Sequence, residues 1–343
     1  MLWVLLVGCA PEQDTFEPTH LGTHVALELR TSDQLCGGTL DHLDRYVQRL
    51  SERSGWPLPD PPVAVIVVDD TELEDRCGID GLAGCTLGDT VYVDAADWPV
   101  VYHELVHALS KHSFESRASF LAEGVAINYG GETGLFACGV NTPTTLDAAT
   151  LETTPLLGWE QRLAATRLVA WLWEDFDAAD FWSFYGRLPR ESDTDAVEQS
   201  FAEVFEVPLW DYVSDRSLDE APTPLPLWVC LDDGVELSPE GQTIAYEVDT
   251  CEGGSVRNSP DDLGRLEVGS VIAVSEPLKL LVEFSGPDGL DWDLTNCECG
   301  GSYPQISGGI LNLDPGSYRL RFTFDPGFVG EISMTTSPLQ SSP

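Results

Sequence analysis

His103, Glu104 and His107 form the short pattern HELVH, whose residue types and spacing could carry chemistry. On a helix, two histidines four positions apart stand on one face, so both imidazoles can bind a single ion. Zinc in a catalytic site takes three protein ligands and keeps a fourth position for water. Glu104 directly follows the first histidine, which predicts a general base beside that water rather than a ligand.

The third ligand must come from elsewhere in the chain, and Glu123 is the best candidate. Residues 108 to 122 separate it from His107. That length is enough to finish one helix, turn and return along a second helix. The competing interpretation is a chance HExxH pattern on an ordinary amphipathic helix.

HELVH and the downstream phrase LAEGVA at 121–126 together resemble the gluzincin metallopeptidases, in particular their MA-like branch. The resemblance covers residues 20–218. It implies His103, His107 and Glu123 as zinc ligands and Glu104 as catalytic base. It also implies an α+β, zincin-like catalytic domain with a mixed sheet, an active-site helix and a helical C-terminal subdomain.

The elements that must position these residues can be predicted from apolar periodicity. Strands are expected at 24–30, 63–68 and 90–94, and helices at 39–53, from about Asp97 to His112, and at 116–129. His42 is expected on the polar, exposed side of the first helix. The resemblance implies that strand 90–94 is the sheet edge along which an extended peptide lies, held by main-chain pairing.

A helical segment rich in aromatic residues follows, with helices predicted at 161–176 and 196–205. Its aromatic side chains are expected to pack as core rather than to line a specificity pocket. A tyrosine there, such as Tyr185, could stabilise an oxyanion by hydrogen bonding.

The proline-spaced stretch at 219–226 predicts a stiff linker, and residues 227–343 predict an antiparallel β-sandwich that resembles the jelly-roll domains of secreted peptidases. Its strands are expected at 243–248, 271–274, 278–284, 318–324 and 330–335. Asp288, Asp291 and Asp293 could hold Ca²⁺ through oxygen ligands. Ordinary carboxylates at turns and strand ends are the alternative.

The chain has nine cysteines, and one of them, Cys9, ends the lipobox-like segment Leu6-Val7-Gly8-Cys9. Residues 1–9 therefore predict a signal segment and a lipid attachment at Cys9, with an ordinary signal peptide or a short buried strand as alternatives. An even set of eight remaining cysteines in an exported chain favours disulfides. If pairing stays within each predicted domain, Cys77 pairs with Cys85 across a glycine-rich loop and Cys36 with Cys138 by elimination.

The net charge of −41, from 58 acidic and 17 basic residues, makes nucleic acid an unsuitable partner. The prediction is an exported, lipid-anchored protein of the bacterial cell envelope, held at the membrane through its lipid alone. Its expected activity is zinc-dependent hydrolysis of peptide bonds in extracytoplasmic proteins, with one Zn²⁺ as cofactor. The alternative is a non-catalytic cell-surface binding protein that retains a zincin fold. The sequence does not predict an oligomeric state.

Overall fold

The computed structural model describes residues 16–32, 34–114, 118–131, 146–151, 158–190, 192–214, 227, 229–232, 234–248, 251, 256–259, 262–297, 306–307 and 309–339, with residue 191 and the other gaps left out. The fold is mixed α/β and contains several sheets. The predicted signal segment with Cys9 and the predicted linker at 219–226 lie outside the described residues.

A mixed five-stranded sheet organises the first part of the chain. Its strands follow the order β1-β2-β3-β5-β4, with β2, β3 and β5 parallel and the two outer pairs antiparallel. The central strand is the valine-rich run at 63–68, which is largely buried because both faces of the sheet are covered. The strands are β1 (His20–Leu21), β2 (Val25–Leu29), β3 (Val63–Val68), β4 (Gly84–Leu87) and β5 (Thr90–Asp94).

Helices pack around this sheet and against one another. A short 3-10 helix at Ala95–Asp97 links β5 to the helix that carries HELVH. The helices are α1 (Gly37–Ser54), α2 (Asp70–Cys77), α3 (Val100–Ser113), α4 (Ser119–Gly130), α5 (Ala148–Leu151), α6 (Trp159–Asp175), α7 (Ala178–Arg187), α8 (Thr194–Phe205) and α9 (Leu209–Ser214). None of the described helices is long and apolar enough to cross a membrane.

The aromatic side chains of α6 to α8 belong to the first hydrophobic core, as predicted. Phe181, Phe184 and Tyr185 are fully buried, and Trp173 and Trp182 pack against them. The rings meet in edge-to-face contacts, as between Phe184 and Phe201, and in tilted contacts, as between Phe201 and Phe205.

The C-terminal part contains two further sheets whose inner faces share a second hydrophobic core. One sheet has the order β12-β13-β10-β15-β7, and the other has β11-β14-β9-β6 with β8 paired to β9. The pairing is antiparallel except between β6 and β9, which are parallel. The strands are β6 (Gly234–Glu236), β7 (Thr243–Val248), β8 (Arg257–Ser259), β9 (Asp262–Val274), β10 (Leu278–Ser285), β11 (Asp291–Asn296), β12 (Ile306–Ser307), β13 (Ile310–Leu313), β14 (Gly316–Phe324) and β15 (Gly330–Pro338).

The disulfides correct one prediction. Cys77–Cys85 is present as expected, and Cys230 pairs with Cys297. The predicted Cys36–Cys138 pair is wrong, because Cys36 is bonded to Cys251. Cys36 precedes α1 but is buried within the second core, so its pairing follows the docking of the two cores rather than their order along the chain.

Backbone hydrogen bonds reinforce this junction. The amides of Gly37 and Gly38 donate to the carbonyls of Cys251 and Val256 at 2.9 and 3.2 Å. The buried Asn258 side chain accepts from the Cys36 amide at 2.8 Å and from the Thr39 hydroxyl at 2.9 Å. The start of α1 is therefore pinned to the second core.

The prediction that His42 is exposed is also wrong. It is 1% exposed rather than on a solvated face, because strand β8 covers that side of α1. Its Nδ1 lies 2.8 Å from Nη1 of Arg257. It belongs to a buried group that we call the junction cluster, which comprises His42, Asp232, Arg257, Glu267 and Arg319.

Candidate metal centre

Helix α3 presents the two histidines of the motif on one face. The chain enters this helix through Pro99, which suits a first turn because its missing amide proton has no helical partner there. His103 and His107 are separated by one turn, and their Nε2 atoms lie 3.0 Å apart. His103 is buried, whereas His107 is partly open to solvent.

Helix α4 delivers Glu123, and two glycines set its position. A Cβ atom on Gly130 would come within 2.5 Å of the backbone of His103, so the end of α4 packs directly on α3 at that residue. A Cβ on Gly124 would lie 2.7 Å from the carbonyl oxygen of Ala165, so α6 approaches α4 just as closely. These contacts fix α4 between α3 and α6, with Glu123 facing the histidines.

The three side chains converge on one point. Nε2 of His103 lies 3.5 Å from one Glu123 carboxylate oxygen, and Nε2 of His107 lies 3.3 Å from the other. Three ligands on a tetrahedral zinc, with bonds of about 2.0–2.1 Å, would be about 3.3 Å apart. The observed separations of 3.0, 3.3 and 3.5 Å therefore fit such an ion. Among the described residues, no other group of three or more potential metal ligands converges in this way.

The neighbouring histidines keep the Glu123 carboxyl ionised. Burial alone would raise the pKa of its carboxyl, but the hydrogen bonds and charge of His103 and His107 outweigh that effect and hold the pKa well below its usual range. The carboxylate therefore stays ionised in a partly desolvated position. Two imidazole nitrogens and a carboxylate form the nitrogen and oxygen donor set that zinc accepts.

Glu104, the predicted base, lies beside strand β4 and is 6% exposed. The hydroxyl of Thr86 on β4 donates to its Oε2 atom at 2.8 Å. It also lies 3.0 Å from the Glu104 carbonyl oxygen. Sequence reasoning missed this contact.

The prediction that strand 90–94 forms the edge of the sheet is wrong. Strand β5 at Thr90–Asp94 lies inside the sheet, between β3 and β4, and β4 is the strand at the end of the order. The two-residue loop Gly88-Asp89, with Gly88 at a φ of 62°, turns the chain back from β4 into β5. That Gly-X loop between two short apolar runs was the available hairpin signal.

Asn128 on α4 and Tyr185, the tyrosine named above as a possible oxyanion donor, both have structural partners. The Asn128 amide donates to the carbonyls of Gly124 and Thr166 and so ties α4 to α6. Tyr185 is fully buried, with its ring against Phe114 and Trp182.

Calcium binding by Asp288, Asp291 and Asp293 stays a prediction. Asp291 forms an ion pair with Arg265 at 2.6 Å, and Asp293 is bonded to Arg321. In the described part of the chain, these aspartates do not form a convergent group of ligands.

No protein-family model matches the chain, and no curated protein does. Among solved structures, one match is the pre-peptidase C-terminal domain of a collagenase from Bacillus anthracis, at 17% identity and a TM-score of 0.19. The alignment covers 31% of this chain and 91% of that domain.

Proposed function

We propose that this chain is a zinc-dependent peptidase with a zincin-like fold, in which His103, His107 and Glu123 hold the metal. The observation that carries the proposal is the convergence of two imidazole nitrogens and one carboxylate at 3.0, 3.3 and 3.5 Å. The side-chain exposures of 13% for His107 and 21% for Glu123 show that the group is in contact with solvent.

The chemistry divides between the metal and this chain's own residues. Bound zinc would lower the pKa of a water molecule and polarise the scissile carbonyl. Glu104 accepts the proton of the attacking water and then passes it to the leaving nitrogen, so the carboxylate is regenerated at the end of the cycle. Its place one residue after His103 puts it on the same helix as both histidine ligands.

Strand β4 offers a way to hold the substrate. It ends the sheet order, and its other side is paired with β5 in antiparallel fashion. An extended peptide that adds to a sheet edge is bound mainly by main-chain hydrogen bonds, which suits a substrate of varied sequence. We therefore propose peptides or unfolded segments of proteins as the substrate class.

Three disulfides among the described residues support folding in an oxidising compartment. This is consistent with an extracellular location. We propose that the protein is exported and anchored through a lipid on Cys9.

Hydrolysis of an unstructured protein mixture by the full mature chain with added zinc tests the function, with cleavage sites identified by mass spectrometry. The parent is expected to cleave, and Glu104→Gln is expected to lose at least about 100-fold in rate while it still binds zinc. Glu52→Gln, which makes the same change at an exposed position, should keep the parental rate. Equal cleavage by the parent and Glu104→Gln would contradict the proposal. Zinc binding without cleavage by either protein would favour a non-catalytic binding protein.

A further inference from the structure

Thr86 makes a contact that the proposed mechanism does not yet use. Among the described side chains, it is the hydrogen-bond donor to the Glu104 carboxylate, with its hydroxyl 2.8 Å from Oε2 and 3.0 Å from the carbonyl oxygen of the same residue. Thr86 is half-buried and Glu104 is buried, so water competes weakly for this hydrogen bond.

Strand β4 is held against α3 on both sides of Thr86. At Gly84, a Cβ atom would lie only 2.9 Å from Val100 and 3.1 Å from the Cγ atom of Glu104, so strand and helix are in direct contact. At the other end, the ammonium of Lys111 on α3 donates to the carbonyl of Gly88 at 2.8 Å. Contacts on both sides of Thr86 therefore hold β4 close to α3.

A third attachment comes from the opposite face of the sheet. Side chains alternate along a strand, so Cys85 points away from α3 while Gly84 and Thr86 face it. Cys85 is bonded to Cys77 at the end of α2. The strand is thus held from both faces.

We propose that Thr86 is a positioning residue that orients the Glu104 carboxylate for proton transfer. This inference rests on the proposed peptidase function. With Oε2 occupied by the Thr86 hydroxyl, the second carboxylate oxygen is directed to the water and accepts its proton. Because Thr86 lies on β4, the strand proposed to receive the peptide, seating of the substrate and alignment of the base depend on the same strand.

The test compares Thr86→Val, which keeps the side-chain shape but lacks the hydroxyl, with Thr86→Ser, which keeps the hydroxyl. In the zinc-loaded full chain, Thr86→Val is expected to lower kcat about 10- to 100-fold, with KM within about twofold and zinc stoichiometry unchanged. Thr86→Ser should recover most of kcat. Thr90→Val is the matched control, because it makes the same change opposite Leu87 in the same hairpin, and it should leave kcat unchanged.

A double mutant separates alignment of the base from general loosening of the strand. If Thr86 acts through Glu104, adding Thr86→Val to Glu104→Gln should cause little further loss. The same fold-loss in both backgrounds, a Thr86→Ser variant as impaired as Thr86→Val, or a Thr86→Val variant with parental kcat would overturn the inference.

Crystal structures of the parent and both Thr86 variants give a readout that needs no activity. The Glu104 carboxylate should take one conformation in the parent and in Thr86→Ser, and more than one in Thr86→Val. A single unchanged conformation in Thr86→Val would overturn the inference even if the proposed function held. Absence of cleavage by the parent would instead count against the proposed function, while the conformations of Glu104 would still decide the role of Thr86.

Discussion

The molecule contains two buried polar groups that balance their charges in different ways. In the junction cluster, arginines supply the positive charge: Arg257 bonds to both Asp232 and Glu267, and Arg319 lies 2.9 Å from Glu267. In the candidate metal centre, a carboxylate faces two imidazoles, and all three groups can act as lone-pair donors. The first group balances its charges with its own side chains, whereas the second has the composition of a cation site.

The two groups lie close to each other, on either side of helix α3. Tyr102 immediately precedes His103, and its carbonyl oxygen accepts a hydrogen bond from the Tyr46 hydroxyl at 3.0 Å. The ring of Tyr102 also meets the ring of His42 edge-on, with centroids 5.9 Å apart. The junction cluster therefore lies behind helix α3, on the side away from the candidate metal centre. We expect mutations in the two groups to have distinct effects.

The largest effect on stability is expected from Arg257→Leu. Removing Arg257 leaves Asp232 and Glu267 buried with fewer counter-charges, and loss of one partner from a buried ion pair typically costs about 3–5 kcal/mol. Urea unfolding of the full chain measures this loss. Arg49→Leu is the control, since Arg49 and its partner Glu52 are largely exposed and such pairs contribute about 0–1 kcal/mol. Equal losses of stability in the two variants would show that the buried ion pairs of the junction cluster do not stabilise the fold more than an exposed pair does.

The disulfides offer a second contrast. Replacing Cys36 and Cys251 by serine should lower the free energy of unfolding by about 2–5 kcal/mol, because this bridge closes a long loop. Its cysteines are 215 positions apart, against eight for Cys77 and Cys85. Replacing Cys77 and Cys85 by serine should lower the free energy of unfolding by less. It should lower kcat/KM for peptide hydrolysis by more, because β4 loses its attachment to α2. The reverse pattern, read from urea unfolding and kcat/KM, would contradict the division of roles.

Removing the metal should affect the two groups unequally. With free zinc at 100 times its Kd, binding to the folded state stabilises the parent by about 2.7 kcal/mol, and a chelator should abolish that gain. Arg257→Leu should keep the same gain, whereas His103→Ala should show none. Thermal unfolding with and without chelator measures the difference. A zinc-dependent gain in His103→Ala would place the ion elsewhere.

The smallest predicted effect concerns pH and His42. Burial first, and then the charge of Arg257, lowers the pKa of His42 well below its usual value, despite the opposing effect of Asp232. The unfolded state therefore binds a proton near pH 6.5 that the folded state does not, so stability falls as the pH drops below about 6.5. One such group contributes at most about 1.4 kcal/mol per pH unit.

His42→Asn keeps an acceptor for Arg257 without a titrating ring. Unfolding experiments between pH 7 and pH 5 should therefore show a shallower loss of stability for this variant than for the parent. Parallel curves for the two proteins would assign the pH dependence to other groups.

The convergence of His103, His107 and Glu123 could be anticipated from sequence because its geometry is mostly local. The spacing of His103 and His107 fixes their shared face on α3, and the interval to Glu123 allows a second helix to return. The apolar run at 63–68 likewise predicted the central strand. The glycines that bring α4 to α3 and α6 gave no such signal, since a glycine in a helix does not reveal what packs against it.

The errors arose where distant segments meet. His42 looks solvent-facing in the periodicity of α1 alone, and only the docking of β8 buries it. Cys36 was assigned within its own part of the chain for the same reason. Strand β4 was overlooked because its glycine and cysteine suggest a loop, whereas its pairing to β5 and its packing on α3 make it a strand.

The most direct test of the account is a calorimetric titration of zinc into the chelator-treated full chain. The parent and Glu104→Gln should each bind one zinc ion per chain, and Glu123→Gln should bind at least about tenfold more weakly because it loses an anionic ligand. Absence of stoichiometric binding by the parent, or equal affinity in Glu123→Gln, would contradict the assignment of His103, His107 and Glu123 as a metal centre.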